Sequence, residues 1–271
     1  MNPRLSGLFI YPIKGCRGLS LTEARIDAFG LVDDRRYLIV EPDGTFLTQR
    51  ELPRMALIEP QPSVDGLLIA GPAFPALSIP RALPNAPLKK VRVWKNTDLS
   101  ADDCGDTAAA WLTDFLERPS RLVRIGAAFE RPILKVTEKP VHHVHFADGY
   151  PFLVLSESSL HDLNDRMASP VPMDRFRPNF VLSDCETFAE DRWPRLKIGE
   201  VIFRAVGPCA RCIVTTTDQV TGQRTGPEPL RTLATYRRDS REPSNVNFGQ
   251  NLVHETKTGI VRIGDEVTPI V

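Results

Sequence analysis

The chain has no excess charge of either sign, with 34 Lys plus Arg against 34 Asp plus Glu in 271 residues. A protein that draws in a polyanion through its overall field carries a basic surplus, so this balance argues against a nucleic-acid binder. Aromatic residues, at 7%, are too few to suggest platforms for stacked bases. No apolar run approaches the ~18 residues needed to cross a bilayer as a helix. The N-terminal run from Leu8 to Tyr11 is cut by Pro12 and is too short for a secretory leader. No Gly-rich phosphate loop of either common type occurs, which disfavours a nucleotide. The expectation is a cytoplasmic protein whose partners include neither nucleic acid nor membrane. Five cysteines need not pair in that reducing compartment. Cys16, Cys104 and Cys185 read as small buried hydrophobes.

What is present is β-forming material in short pieces. Twenty-four prolines and 17 glycines punctuate the chain, so regular elements should be short. Residues 36–40, 45–49, 55–60, 67–71 and 89–94 combine β-branched and aromatic residues between turn formers, the pattern of strands and hairpins. Such spacing favours a barrel or sandwich over alternating strands and helices. Three helices are predicted. One starts at Asp106 and puts Ala108, Trp111, Leu112, Phe115 and Leu116 on one face, stopping before Pro119. A second covers about 156–167 and a third 229–237. Residues 80–87 read as a Pro-rich loop, and a division falls near 125–135.

The most informative stretch is VIFRAVGPCARCIVTTTD (201–218). A thioredoxin-type Cys209–Cys212 pair should open a helix, whereas Ile213, Val214 and three threonines favour a second strand. A structural zinc site needs four ligands. The nearest further donors are His142, His143 and His145, at no recognised spacing, and alternation with Val144 reads more simply as the polar face of a strand. The third reading is a single thiolate on a β-turn beside a positive pocket, with Arg211 next to Cys212 to stabilise it. Cations for such a pocket are present in the YPIKG, DDRRYLIV and FRPNFVL segments. Pro178 disfavours the α region for Arg177 and directs it to an extended conformation. Guanidinium forks suit phosphate, although solvated surface positions are the usual fate of Lys and Arg.

YPIKGC (11–16), the segment 30–58, FADGYPFLVLSESSLHDLNDRM (146–167), FRPNFVL (176–182), VGPCARCIVTTTDQVTG (206–222), NFGQNLV (247–253) and IGDEV (263–267) resemble, in order, the MOSC proteins that carry an N-terminal MOSC β-barrel domain. Within that family they are similar to the mitochondrial amidoxime-reducing component and its bacterial counterparts. The resemblance implies a mainly β fold with a few helices (α+β). It implies two β-barrel-like domains, 1–128 and 129–271, with a cofactor cleft between them. The cofactor would be a pterin-dithiolene molybdenum cofactor, with Cys212 as the metal ligand. Lys14, Arg35, Arg177 and Asn179 match family positions suited to the cofactor phosphate and pterin. Asp148 matches the family acid near the metal and is the candidate proton donor, with Gly149 and Tyr150 lining the same cavity. Asn251 stands where close eukaryotic relatives carry an aromatic residue, and Gly15 where they carry serine. The implied activity is reduction of small N-hydroxylated substrates such as amidoximes or hydroxylamines. Five cysteines do not include an iron–sulfur ligand set of plant type. Electrons are therefore expected from a separate protein, a ferredoxin, a cytochrome b5-like protein or a flavin reductase. The alternatives are a carrier of the cofactor or its sulfur, and a zinc-bound structural module.

Overall fold

Short strands separated by proline and glycine turns make up most of the regular structure. The computed structural model describes residues 2–133 and 142–270, and only three α-helices occur among them. The largest sheet has eight strands, in the order Val267–Ile270, Arg195–Ile198, Val201–Ala210, Asn247–His254, Phe152–Ser156, Phe180–Ser183, Arg4–Ile10 and Leu19–Ser20. Its neighbours run antiparallel except Phe152–Ser156 beside Phe180–Ser183. A three-stranded sheet of Gly259–Arg262, Glu23–Asp27 and Gly30–Leu31 covers the same core, in which Phe152, Phe180 and Phe203 pack ring on ring. Two smaller sheets, built from segments between Tyr37 and Arg124, enclose a second core. The helix Asp106–Leu116 seals that core with Trp111 stacked on Phe115 at 5.1 Å. The molecule is mainly β, its sheets curled into half-barrels.

The first strands do not stay within the first half. Arg4–Ile10 pairs with Phe180–Ser183 in a register that sets Arg4 against Ser183, and Glu23–Asp27 pairs with Gly259–Arg262. The largest sheet therefore crosses the expected division at 128/129. Residues 134 and 135 of the expected linker region lie outside the described residues.

Several local expectations are corrected. Residues 45–49 form no strand. The Asp43 carboxylate accepts the Thr45 amide at 2.8 Å, and a turn from Thr48 to Leu52 then coils the chain back. Pro53 opens a 3-10 helix, Pro53–Leu57, through the region expected as strand 55–60, and the strand begins at Glu59. The third helix shrinks to Leu230–Leu233, because the Arg237 carbonyl accepts the Asn247 amide and Arg238 bridges Val246. Residues 142–145 are not the polar face of a strand: His142, Val144 and His145 are all buried.

Candidate functional site

The two cysteines sit at the end of the strand Val201–Ala210. Gly207, at φ 131, marks one of two register shifts there. The side-chain amide of Asn251 donates to the Gly207 and Pro208 carbonyls at 3.3 and 3.2 Å, bracing the irregular stretch. After Cys212 the chain enters a 3-10 turn, Ile213–Thr216, rather than the expected strand. The reason is local. Thr215 Oγ1 donates to the Cys212 carbonyl at 3.0 Å and Thr216 Oγ1 to that of Ile213 at 2.7 Å, the back-bond by which threonine accepts helical geometry. Cys212 is the extended residue that caps this turn, with its thiol facing a cleft. Arg211 does not serve Cys212 as expected. Its guanidinium donates to Cys209 Sγ at 3.0 Å and to the Phe176 carbonyl at 2.6 Å.

Cations gather on the opposite wall around Tyr11. The guanidinium carbons of Arg35 and Arg177 lie 4.5 and 4.2 Å from its ring centroid. The Tyr11 hydroxyl donates to the Pro178 carbonyl at 3.0 Å, and burial pushes the phenol well above its ordinary range. Arg35 Nη1 donates to Asp34 at 2.6 Å and to Asn179 Oδ1 at 3.0 Å. Asn179 also takes the Leu153 amide and donates to the Phe9 carbonyl, so it orients Arg35 rather than reaching outward. Arg177 has one long hydrogen bond, 3.4 Å to Gln219 Oε1, and no carboxylate at ion-pair distance among the described residues. Burial lowers its affinity for a proton. Arg35 and Arg177 both adopt left-handed backbone, φ 48 and φ 55. The expectation of an extended Arg177 is therefore wrong. Pro178 excludes right-handed helix, and the chain reverses there from the 3-10 helix Met173–Arg175 into the strand Phe180–Ser183. Left-handed non-glycine residues cost on the order of 1–3 kcal/mol each and cluster at functional sites.

The acid stands apart from the thiol-bearing turn. Asp148 Oδ1 accepts from Lys14 Nζ and from Trp94 Nε1, the latter at 3.1 Å. Its side chain is 74% exposed because it looks into the open cleft, whereas Lys14 is buried. Removal from bulk water opposes charge on both. For Lys14 that effect wins and its proton is held less tightly than usual, while for Asp148 the Lys14 ammonium wins and holds the carboxyl well below the usual range. Asp148 is thus an ionised acceptor in this state.

Cys212, Asp148 and the seven expected binding residues all line this one cleft. Residues 2–119 match the MOSC N-terminal beta barrel domain, and residues 141–268 match the MOSC domain. The chain is 37% identical over 274 residues to human mitochondrial amidoxime-reducing component 1, covering 96% of this chain and 81% of that protein. It is also 37% identical to bovine mitochondrial amidoxime reducing component 2, over 98% and 83% of the two chains. It belongs to the MOSC-domain family. Among the described residues of this MOSC protein no group of three or more His, Cys, Asp and Glu side chains is arranged to hold a metal, which leaves the zinc reading without a site.

Sequence reasoning missed the residues that set the MOSC cleft's shape. Arg131, 4% exposed, donates Nη1 to the His145 carbonyl at 2.8 Å and Nη2 to the Asp148 carbonyl at 2.8 Å. Burial brings this guanidinium down to about 10, against a pull upward from Asp148. Gln49 and Gln219 join the two halves behind Arg177. Both glutamines stand inside the segments that carry the family resemblance, which was the available signal, whereas nothing in the local sequence singles out Arg131.

Proposed function

We propose that the cleft holds a pterin-dithiolene molybdenum cofactor with the Cys212 thiolate as its protein ligand, and that the protein reduces N-hydroxylated compounds. The observation that carries this reading is Arg177, a half-buried cation with no carboxylate at ion-pair distance among the described residues, in the same cleft as Cys212. A charge partly withdrawn from water without a counter-charge is costly, so the position suits an anionic ligand. The donor set fits the group. A soft sulfur suits a redox-active metal, Arg35 and Arg177 suit a phosphate, and a Cβ built on Gly149 would touch nothing, so backbone there is open to approach. The relatives named amidoxime-reducing components supply the substrate class.

The reaction adds two electrons and two protons to the substrate, breaks its N–O bond and yields the amine and water. When bound, the cofactor supplies the two-electron redox chemistry. The chain's own part is binding and proton handling. Arg35 and Arg177 hold the anion, with Asn179 and Tyr11 fixing their direction. One proton resides on Lys14 Nζ, beside ionised Asp148, and the second, which goes to the nitrogen, comes from solvent water in the open cleft. Lys14 therefore gives up the proton to the departing oxygen, and Asp148 keeps the ammonium within reach instead of acting as the acid itself. Substrate N–H groups meet the carboxylate where it faces the cleft. Electrons come from a separate ferredoxin, cytochrome b5-like protein or flavin reductase, without an iron–sulfur cluster in this chain. The five free thiols suit a reducing cytoplasm, and no helix among the described residues is long and apolar enough to cross a membrane. Metal analysis of the purified protein, with reduction of a model amidoxime by a supplied electron donor, tests this. Molybdenum together with turnover is expected. Zinc in its place would overturn the reading, and molybdenum without turnover under any donor would favour a carrier.

A further inference from the structure

The hairpin of Leu88–Val93 and Asn96–Asp103 carries at its tip a side chain that core packing does not explain. Val93 pairs with Asn96, so Trp94 and Lys95 alone make the turn. Trp94 adopts left-handed backbone, φ 54. Two-residue hairpin turns with positive φ favour Asn, Asp and Gly, and a bulky residue there is strained. The indole is also 39% exposed, so burial does not offset the strain.

The ring is directed instead at Asp148, the only carboxylate among the described residues that line the cleft. Trp94 Nε1 donates to Asp148 Oδ1 at 3.1 Å. The Arg50 guanidinium carbon lies 4.4 Å from the ring centroid, and the Phe46 ring meets it at 4.7 Å and 70°. Lys14 Nζ donates to the same carboxylate oxygen. Both donors therefore take Oδ1, and Oδ2 has no hydrogen-bond partner among the described residues. The carboxylate is open to the cleft, so that oxygen is available to a bound molecule.

The two donors differ in what proton transfer does to them. Lys14 loses its charge when it gives up a proton, and its hold on Asp148 then weakens. The indole N–H is a donor only, and it keeps its proton throughout.

We infer that Trp94 is a positioning residue that keeps Asp148 Oδ2 turned to the substrate, so that the site selects N-hydroxylated compounds carrying an N–H next to the N–O group. The inference rests on the reduction proposed above. An amidoxime meets the demand through its NH2 group, which donates to Oδ2. A simple oxime has the N–O bond without that donor.

The test is calorimetric titration of the protein as purified, without an electron donor. It compares benzamidoxime with benzaldoxime, which has hydrogen in place of the NH2 group. Benzamidoxime should bind the wild type about fivefold tighter or more, because its extra donor meets a charged acceptor. Trp94→Phe keeps a ring at the turn and removes the N–H. It should weaken benzamidoxime about fivefold and leave benzaldoxime within about twofold, so the preference is lost. Trp94→Gly suits the positive φ, preserves the turn and should lose the same preference. Absence of saturable benzamidoxime binding, or equal affinity of the two ligands for the wild type, overturns the proposal. So does a preference that survives in both variants, or a loss shared equally by both ligands, which would make Trp94 a ring contact only. Failure of the underlying reading is seen separately: a protein that binds benzamidoxime through Trp94 and never reduces it loses the reductase assignment and keeps this one.

Discussion

Gln49 and Gln219 meet amide to amide across the join between the two halves, each side-chain NH2 donating to the other's carbonyl at 3.1 and 3.0 Å. The remaining protons go to the Gly15 and Thr217 carbonyls at 2.8 and 3.1 Å. Both residues are buried, so every polar atom of the pair is met inside the protein.

Breaking the pair from one side should cost more than removing it. Gln219→Leu strands a buried amide and should lower stability by about 1–3 kcal/mol. Adding Gln49→Leu should cost much less than a second independent loss, giving a coupling on the order of 0.5–3 kcal/mol in a double-mutant cycle. Urea denaturation of the four proteins measures it. Additive losses would mean that the amides do not act as a unit.

The two cysteines should respond unequally. Cys212→Ala removes the proposed metal ligand and should abolish amidoxime reduction and deplete molybdenum. Cys209→Ser keeps an acceptor for Arg211, whose guanidinium already bonds Sγ. That variant should retain molybdenum and a substantial part of the activity. Equal loss in both would remove Cys212 from its assigned role.

Arg177→Gly should separate binding from folding. Glycine relieves the left-handed backbone at φ 55, a gain of about 1 kcal/mol that offsets some of the lost contact with Tyr11. The variant should unfold within a few degrees of wild type and purify metal-poor. Full molybdenum content would return Arg177 to a structural role.

Glu190 supplies a pH signature away from the cleft. It is 2% exposed, accepts the Ser156 amide at 3.2 Å through Oε1, and has no partner for Oε2 among the described residues. Burial raises its carboxyl above the ordinary glutamate range, against the hydrogen bonds that lower it. From the ordinary value upward the folded state keeps a proton that the unfolded chain releases. Stability is therefore lost as pH rises through that window, and the loss is complete above the raised value. Glu190→Gln should match wild type near pH 4 and melt higher at pH 8, by about 2–4 °C for each kcal/mol recovered. A constant difference across pH would show that Glu190 does not titrate in this way.

Much of the frame was legible because periodicity reports burial. Residues 67–71 and 89–93 fall within strands, and the face expected of the first helix is buried. The gathering of Lys14, Arg35, Asp148, Arg177 and Cys212 in one cleft followed the family resemblance. What was not legible depends on partners distant in sequence or on hydrogen bonds that override propensity. Thr215 and Thr216 have β-forming side chains, yet their hydroxyls bond backward and close a 3-10 turn. Arg131 works by collecting carbonyls of the segment 145–148, and no local pattern marks such a residue. Neither does composition show that Lys14 will fix the charge of Asp148.

The pairing of Arg4–Ile10 with Phe180–Ser183, and of Glu23–Asp27 with Gly259–Arg262, bears on how the chain is made. The strands that leave the ribosome first wait for partners that are synthesised among the last. Until then their edges offer unsatisfied amides and carbonyls to any neighbouring chain. Contacts so far apart along the sequence also slow folding. A nascent or truncated first half should thus be the species that chaperones hold and that aggregates, and cutting at 128/129 should yield two fragments that fold only when mixed.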